Sequence, residues 1–267
     1  MHIGDIGSEV SQLQRQLIEA GFKIDADGWF GPATEQAVMA IQARAGLVAD
    51  GIAGPKTLQI IRSRSSDSRL LSENDLIRAA DRLGVELAAI KAVNTVESRG
   101  RGFLDDGRPV ILYERHIAFR LLGESGMPYD EACALAEKSP NVISDRRGGY
   151  AGGPAEWSRL ATASQIVGEA IAWQACSWGQ FQIMGFHWKT LGYASIDEFV
   201  TAMKTSEAAQ LDAFVRFIEA DPDLHKALKG RKWAAFAKAY NGTAYKENLY
   251  DAKLAREYER YVGKEES

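Results

Sequence analysis

The chain has 267 residues, 46% hydrophobic and 25% charged, with a formal net charge of −4. That composition is globular, and the length suits one large domain or two unequal ones. It excludes the global basic field of a nucleic-acid binder, and no apolar run approaches the roughly 18 residues of a membrane span.

The amino end, MHIGDIGSEV, has no basic stretch followed by an apolar one. No secretory signal peptide is read there, and the protein is expected to be made in the cytoplasm. Ser8 to Ala20 predicts a helix with Val10, Leu13, Leu17 and Ile18 apolar. A turn then occurs twice. Asp27-Gly-Trp-Phe-Gly-Pro-Ala-Thr34 is followed 23 residues later by Asp50-Gly-Ile-Ala-Gly-Pro-Lys-Thr57. Each copy supplies an Asp-Gly corner and a Gly-Pro pair that opens a helix. Between them Thr34 to Ala45 predicts a helix whose core face is Ala37, Val38 and Ile41. The outcome is a small three-helix domain over residues 1–62. The repeat and its opening helix resemble the peptidoglycan-binding domain at the ends of many cell-wall hydrolases. That resemblance implies a groove near the turns that holds the wall polymer, with Asp27, Trp29, Phe30 and Asp50 as candidate contacts. Trp29 leads, because an aromatic face stacks on sugars. The glycines, prolines and threonines of the turns serve the fold itself.

Residues 62–69 read RSRSSDSR, with no apolar residue and no period. This predicts a flexible linker over 63–69. A basic nucleic-acid patch is the alternative, but no aromatic residue interleaves it and Asp67 interrupts it. Ser72-Glu-Asn-Asp75 then caps a helix to Leu83.

The next helix, Glu86 to Ser98, places Leu87, Ile90, Val93 and Asn94 on one side, with Glu97 in the middle of that side. Ser98-Arg-Gly-Arg-Gly102 stops it. A carboxylate on the core side of a helix C-terminus has two reasons to hold its proton. Burial disfavours the charge, and so does the negative end of the helix dipole. A carboxylic acid still protonated near neutral pH is what a general acid needs. The plainer reading is a structural ion pair with Arg99, Arg101 or Arg115.

Phe103 to Tyr113 carries an Asp-Asp-Gly-Arg turn and then a β-branched run, which predicts a short hairpin. Helical patterns follow over 129–138, 158–173, 196–206, 207–220, 233–241 and 245–262. Two cysteines, Cys133 and Cys176, make no disulfide scaffold. The histidines His2, His116, His187 and His225 have no ligand spacing, so neither a metal nor a cofactor is expected. Cys176 with His187 would be a nucleophile and base in a cysteine peptidase; a small buried cysteine is the commoner fate.

Two further segments matter. Ser177-Trp-Gly-Gln-Phe-Gln-Ile-Met-Gly185 resembles the G-L-M-Q-type segment of goose-type lysozymes and soluble lytic transglycosylases. Ala239-Tyr-Asn-Gly242 resembles their Y-N-A-G segment, although here the chain runs straight to Gly242. Leu112-Tyr-Glu-Arg-His116 resembles an F-E-x-H stretch. With Glu97-Ser98 these stand in the family order. The nearest likeness over residues 70–262 is the catalytic domain of modular phage endolysins of the N-acetylmuramidase type.

The resemblance implies a mainly α fold. A small three-helix wall-binding domain is linked to a larger, mostly helical lysozyme-like α+β catalytic domain, residues 70–267, with a short β-hairpin. It implies cleavage of the β-1,4 bond between N-acetylmuramic acid and N-acetylglucosamine in bacterial peptidoglycan, with Glu97 as general acid. Gln180, Phe181, Gln182, Tyr240, Asn241 and His116 become candidate substrate contacts. Glu114 is the candidate second carboxylate, ahead of Asp105 and Asp106, which serve their turn. A lytic transglycosylase would use the same glutamate and leave an anhydro sugar, and a protein that only binds the wall is the non-enzymatic alternative. A monomer without membrane insertion or nucleic-acid partner is expected. It would wait in the host cytoplasm until a pore-forming partner opens the way to the wall.

Overall fold

A computed structural model describes residues 1–63, 68–98 and 101–265. Residues 64–67 of the predicted linker, and Arg99 and Gly100 of the helix stop, lie outside the described residues. In chain order the helices and strands begin with α1 Ser8–Glu19, α2 Pro32–Arg44, α3 Pro55–Ser63, α4 Glu73–Leu83 and α5 Leu87–Glu97. There follow β1 Ile111–Tyr113, α6 Arg115–Glu124, α7 Tyr129–Lys138, α8 Ala155–Val167 and α9 Glu169–Gln174. Then come β2 Cys176–Trp178, β3 Ile183–Met184, α10 Ile196–Thr205 and α11 Glu207–Ala220. The last are α12 Pro222–Lys229, α13 Trp233–Asn241 and α14 Tyr250–Glu265. The expected mainly helical plan with a small sheet holds.

The chain folds as two compact units, one of residues 1–100 with 226–267 and one of residues 101–225. In the first, α1, α2 and α3 close over Val10, Leu13, Leu17, Phe30, Val38 and Ile61. Two buried glutamines organise the repeated turns. Gln14 Nε2 donates to Asp27 Oδ1 at 2.8 Å, the Trp29 carbonyl at 2.9 Å and Thr34 Oγ1 at 3.0 Å, while its Oε1 accepts from Gly28 N at 2.8 Å. Gln42 repeats the pattern with Asp50 Oδ1 at 2.7 Å, the Ile52 carbonyl at 3.0 Å, Thr57 Oγ1 at 3.0 Å and Gly51 N at 2.9 Å. An internal amide that pairs with four polar groups of a turn at once fixes its shape and satisfies both of its own polar ends.

The same unit carries α4, α5, α13 and α14. Ser72 and Asp75 form the expected capping box, and Gly84 ends α4 in the left-handed region. Helix α14 packs along α5 and α13. Thr95 Oγ1 lies 2.8 Å from Tyr261 Oη, and Lys91 Nζ lies 2.5 Å from Glu73 Oε1.

The second unit is built on an antiparallel sheet of order β1-β2-β3. Here the expected hairpin needs correction. Its turn exists, with an isolated antiparallel bridge between Phe103 and Pro109. The strand after it pairs instead with β2, Tyr113 opposite Cys176 and Ile111 opposite Trp178. The segment SWGQFQIMG is itself the β2–β3 hairpin, turned at Gly179 (φ 71°) and Gln182 (φ 53°). The helix expected over 158–173 is two helices broken at Gly168 (φ 82°), and the last helix begins at Tyr250. Helices α6 and α12 were absent from the sequence pattern.

Candidate active site

Glu97 is the last residue of α5 and is half-buried. Asn241, the last residue of α13, donates Nδ2 to Glu97 Oε1 at 2.8 Å. Burial pushes the Glu97 carboxyl up to about 7, and the Asn241 amide pulls in the opposite direction. Tyr240 stands beside them, its ring stacked on Phe236 at 6.0 Å. Burial, and then the nearby Glu97 charge, raise its phenol well above the ordinary range, so it stays a neutral hydroxyl. The ion-pair reading of Glu97 loses two of its three arginines to other partners. Arg101 pairs with Asp105. Arg115 donates to the carbonyls of Pro140, Arg146 and Arg147 at 2.8, 3.0 and 3.0 Å. Arg99 lies outside the described residues.

The second unit gathers Glu114 and His116. Glu114 is the N-cap of α6, and its backbone N–H extends the β1–β2 ladder to the Ala175 carbonyl at 2.9 Å. Its carboxylate accepts both contacts of the Tyr150 hydroxyl, at 2.9 and 3.1 Å. His116 Nδ1 lies 3.2 Å from Glu114 Oε2 but off the line of a hydrogen bond. Burial holds the His116 imidazole below its ordinary value, against the pull of Glu114.

Tyr150 was not among the sequence candidates. Its signal is an aromatic residue set in the glycine run of 148–153. That loop is firmly seated, because Glu156, fully buried, accepts from Ala151 N at 2.6 Å and Gly152 N at 2.9 Å. The other oxygen of Glu156 takes Arg159 Nη1 at 2.6 Å and Tyr113 N at 3.1 Å.

The remaining candidates separate by exposure. Gln180 and Phe181 are 1% and 3% exposed. Phe181 stacks on Phe214 at 4.6 Å, and the Gln180 backbone N–H is held by Gln210 Oε1 at 2.7 Å. Neither side chain offers a face to a polymer, which corrects their reading as contacts. Gln182 is half-buried and ties down its own turn, to Gly179 O at 2.8 Å and Ser177 Oγ at 3.0 Å. Gly179 has no room for a side chain, since a Cβ would lie 2.4 Å from Gln210 Cδ. Phe30 is likewise core at 0% exposure, whereas Trp29 is 50% exposed. Asp27 and Asp50 each spend one oxygen on the turn, on Trp29 N at 2.9 Å and Ile52 N at 2.8 Å. The Trp29 N–H, and then the Gln14 amide, hold the Asp27 carboxyl below its usual value.

Cys176 is fully buried in β2, and burial raises its thiol well above the ordinary range. A thiol so placed supplies no thiolate nucleophile. Among the described residues no group of three His, Cys, Asp or Glu could hold a metal ion, and no helix is long and apolar enough to cross a membrane.

The N-acetylmuramidase family matches residues 86–262, and the peptidoglycan-binding domain family matches residues 6–61. The chain belongs to the N-acetylmuramidase family. Both halves of the resemblance read from the motifs are thereby met. The crystal structure of a Burkholderia AP3 phage endolysin superposes on the muramidase with a TM-score of 0.91 at 58% identity, covering 98% of this chain and 97% of that one. Curated relatives match over shorter stretches. An N-acetylmuramoyl-L-alanine amidase of Bacillus licheniformis is 42% identical over 74 residues, 27% of this chain and 21% of its own. A zinc D-Ala-D-Ala carboxypeptidase of Streptomyces albus G is 43% identical over 67 residues, 24% of this chain and 26% of its own. The muramidase thus spans about a fifth to a quarter of the length of these two relatives.

Proposed function

We propose that this protein is an endolysin that cleaves the β-1,4 bond between N-acetylmuramic acid and N-acetylglucosamine in bacterial peptidoglycan, with Glu97 as the general acid. The observation that carries the reading is a half-buried carboxyl at the end of α5, raised to about 7 and accepting a hydrogen bond from the neutral Asn241 amide. At neutral pH such a group is still partly protonated. It gives its proton to the glycosidic oxygen as the bond lengthens, and an oxocarbenium-like charge grows on the muramic ring. Asn241 then stabilises the carboxylate that is left behind. Water completes the reaction: its hydroxyl joins the anomeric carbon and its remaining proton restores the Glu97 acid.

Glu114 accepts from Tyr150 and lies against His116, so its oxygens are engaged within its own unit. We therefore read the enzyme as working with one glutamate. Mass spectrometry of digested peptidoglycan tests this at one stroke. A reducing muramic end supports hydrolysis; an anhydro end would make it a lytic transglycosylase; glucosamine ends would refute the bond. In this reading the enzyme lyses the host cell, reaching the wall after a pore-forming partner has released it.

A further inference from the structure

The two turns held by Gln14 and Gln42 are alike in backbone and unlike in surroundings. In the first, Trp29 is 50% exposed and Ile6, bridged to it, is 79% exposed, with Ile3 at 43%. The Trp29 ring lies against Gly31, where an added Cβ would meet it at 2.7 Å, so the indole is propped and presented. In the second, Ile52 stands where Trp29 stands, and it is half-buried. This turn is held by α14, within the muramidase match, and by α4, which precedes it. Arg260 of α14 donates to the Asp50 carbonyl, lies 3.6 Å from Glu35 and is steadied by Glu257 at 2.9 Å. Glu73 of α4 accepts from Ala49 N at 3.3 Å while pairing with Lys91 of α5.

We propose that the two copies have divided their work. The first turn, through Trp29 and Ile6, docks the peptidoglycan polymer. The second is an internal seat, clamped by Arg260 and Glu73, that fixes the wall-binding domain on the helices leading to Glu97. The wall is the fitting occupant of the first turn because a rigid, half-exposed indole beside an aliphatic patch matches the apolar face of a sugar ring and its lactyl group. A clamp of several charged contacts onto backbone groups makes the seat specific in orientation. The proposal rests on the reading of residues 6–61 as a wall-binding domain.

The test is co-sedimentation of the full chain with purified sacculi, paired with limited trypsin digestion. Trp29→Ala and the gentler Trp29→Gln should weaken sacculus binding about tenfold. Ile52→Ala and Arg260→Gln should leave it within about threefold, a change of less than 1 kcal/mol. Arg260→Gln should instead speed tryptic release of the amino-terminal domain about tenfold, with circular dichroism unchanged. Wild-type binding by the Trp29 variants, or loss of binding in folded Ile52→Ala, overturns the assignment of the first turn. Unchanged digestion of Arg260→Gln overturns the seat. A wild-type chain that fails to sediment would refute the wall-binding reading itself.

Discussion

The Asn241 amide meets the Glu97 carboxyl at 2.8 Å, joining the ends of two helices that lie 144 positions apart in the chain. The bond favours the ionised glutamate, while burial favours the protonated one, and burial prevails. Removing the amide therefore leaves burial unopposed. The fall in kcat/KM on the alkaline side should begin near pH 7 in the wild type and move to higher pH in Asn241→Ala. A pH profile that does not move, or moves toward acid, refutes the assignment.

Glu97→Gln should reduce wall lysis by roughly 10²- to 10⁴-fold, because the amide has no proton to give. Its effect on stability has the opposite sign. The folded carboxyl titrates at about 7 against an ordinary 4.5, so between those values the native state binds more protons than the unfolded chain. Wild-type stability thus falls as pH rises through that window, by an upper bound on the order of 3 kcal/mol. The uncharged variant escapes this penalty. Urea denaturation should find Glu97→Gln more stable than wild type at pH 8, with a smaller difference at pH 5. Equal or lower stability at pH 8 would contradict the buried-acid account.

Glu114→Gln should keep most of the activity, as should Asp105→Asn and Asp106→Asn, whose carboxylates pair with Arg101 and Arg108. A folded Glu114→Gln that loses more than about a hundredfold would give Glu114 a direct part in the chemistry. Tyr150→Phe helps to separate the cases. Loss of its hydroxyl frees the Glu114 oxygens, and under the one-glutamate reading kcat changes little.

Gln42→Ala should destabilise the amino-terminal domain by on the order of 2–3 kcal/mol, since it strands the buried Gly51 N–H and takes the amide donor away from Asp50, the Ile52 carbonyl and Thr57 Oγ1. Gln14→Ala should do the same for the first turn. Guanidinium unfolding of the full chain would read both. A change below about 0.5 kcal/mol would show the clamps to be dispensable.

These residues mark what the sequence could reveal. The repeated turns, the capping box of α4 and the bounds of α7, α11 and α13 were legible because their signals are local. The glutamine clamps were not. Gln14 precedes its aspartate by 13 positions and Gln42 by 8, so the turn repeat does not carry over to its anchor. The partner of β1 lies more than sixty residues away at Ser177, beyond the reach of any hairpin rule. Glu97 and Asn241 became candidates through motif order, and the structure brings their side chains together; Tyr150 acquires meaning only from its contact with Glu114, 36 positions away. Phe181 and Phe30 misled because an aromatic residue in a motif reads the same whether it faces ligand or core.

Asn241 also has a successor that sets a clock. Gly242 follows it with φ 73°, the first residue beyond α13. Glycine is the least hindered neighbour for attack of a backbone nitrogen on an asparagine side chain, the route by which such residues deamidate with age and heat. The product places a carboxylate where the amide met Glu97, so one charge faces another and the acid is held protonated to still higher pH. Aged preparations should therefore drift in their pH optimum before they lose their fold, and peptide mapping at Asn241 should track that drift.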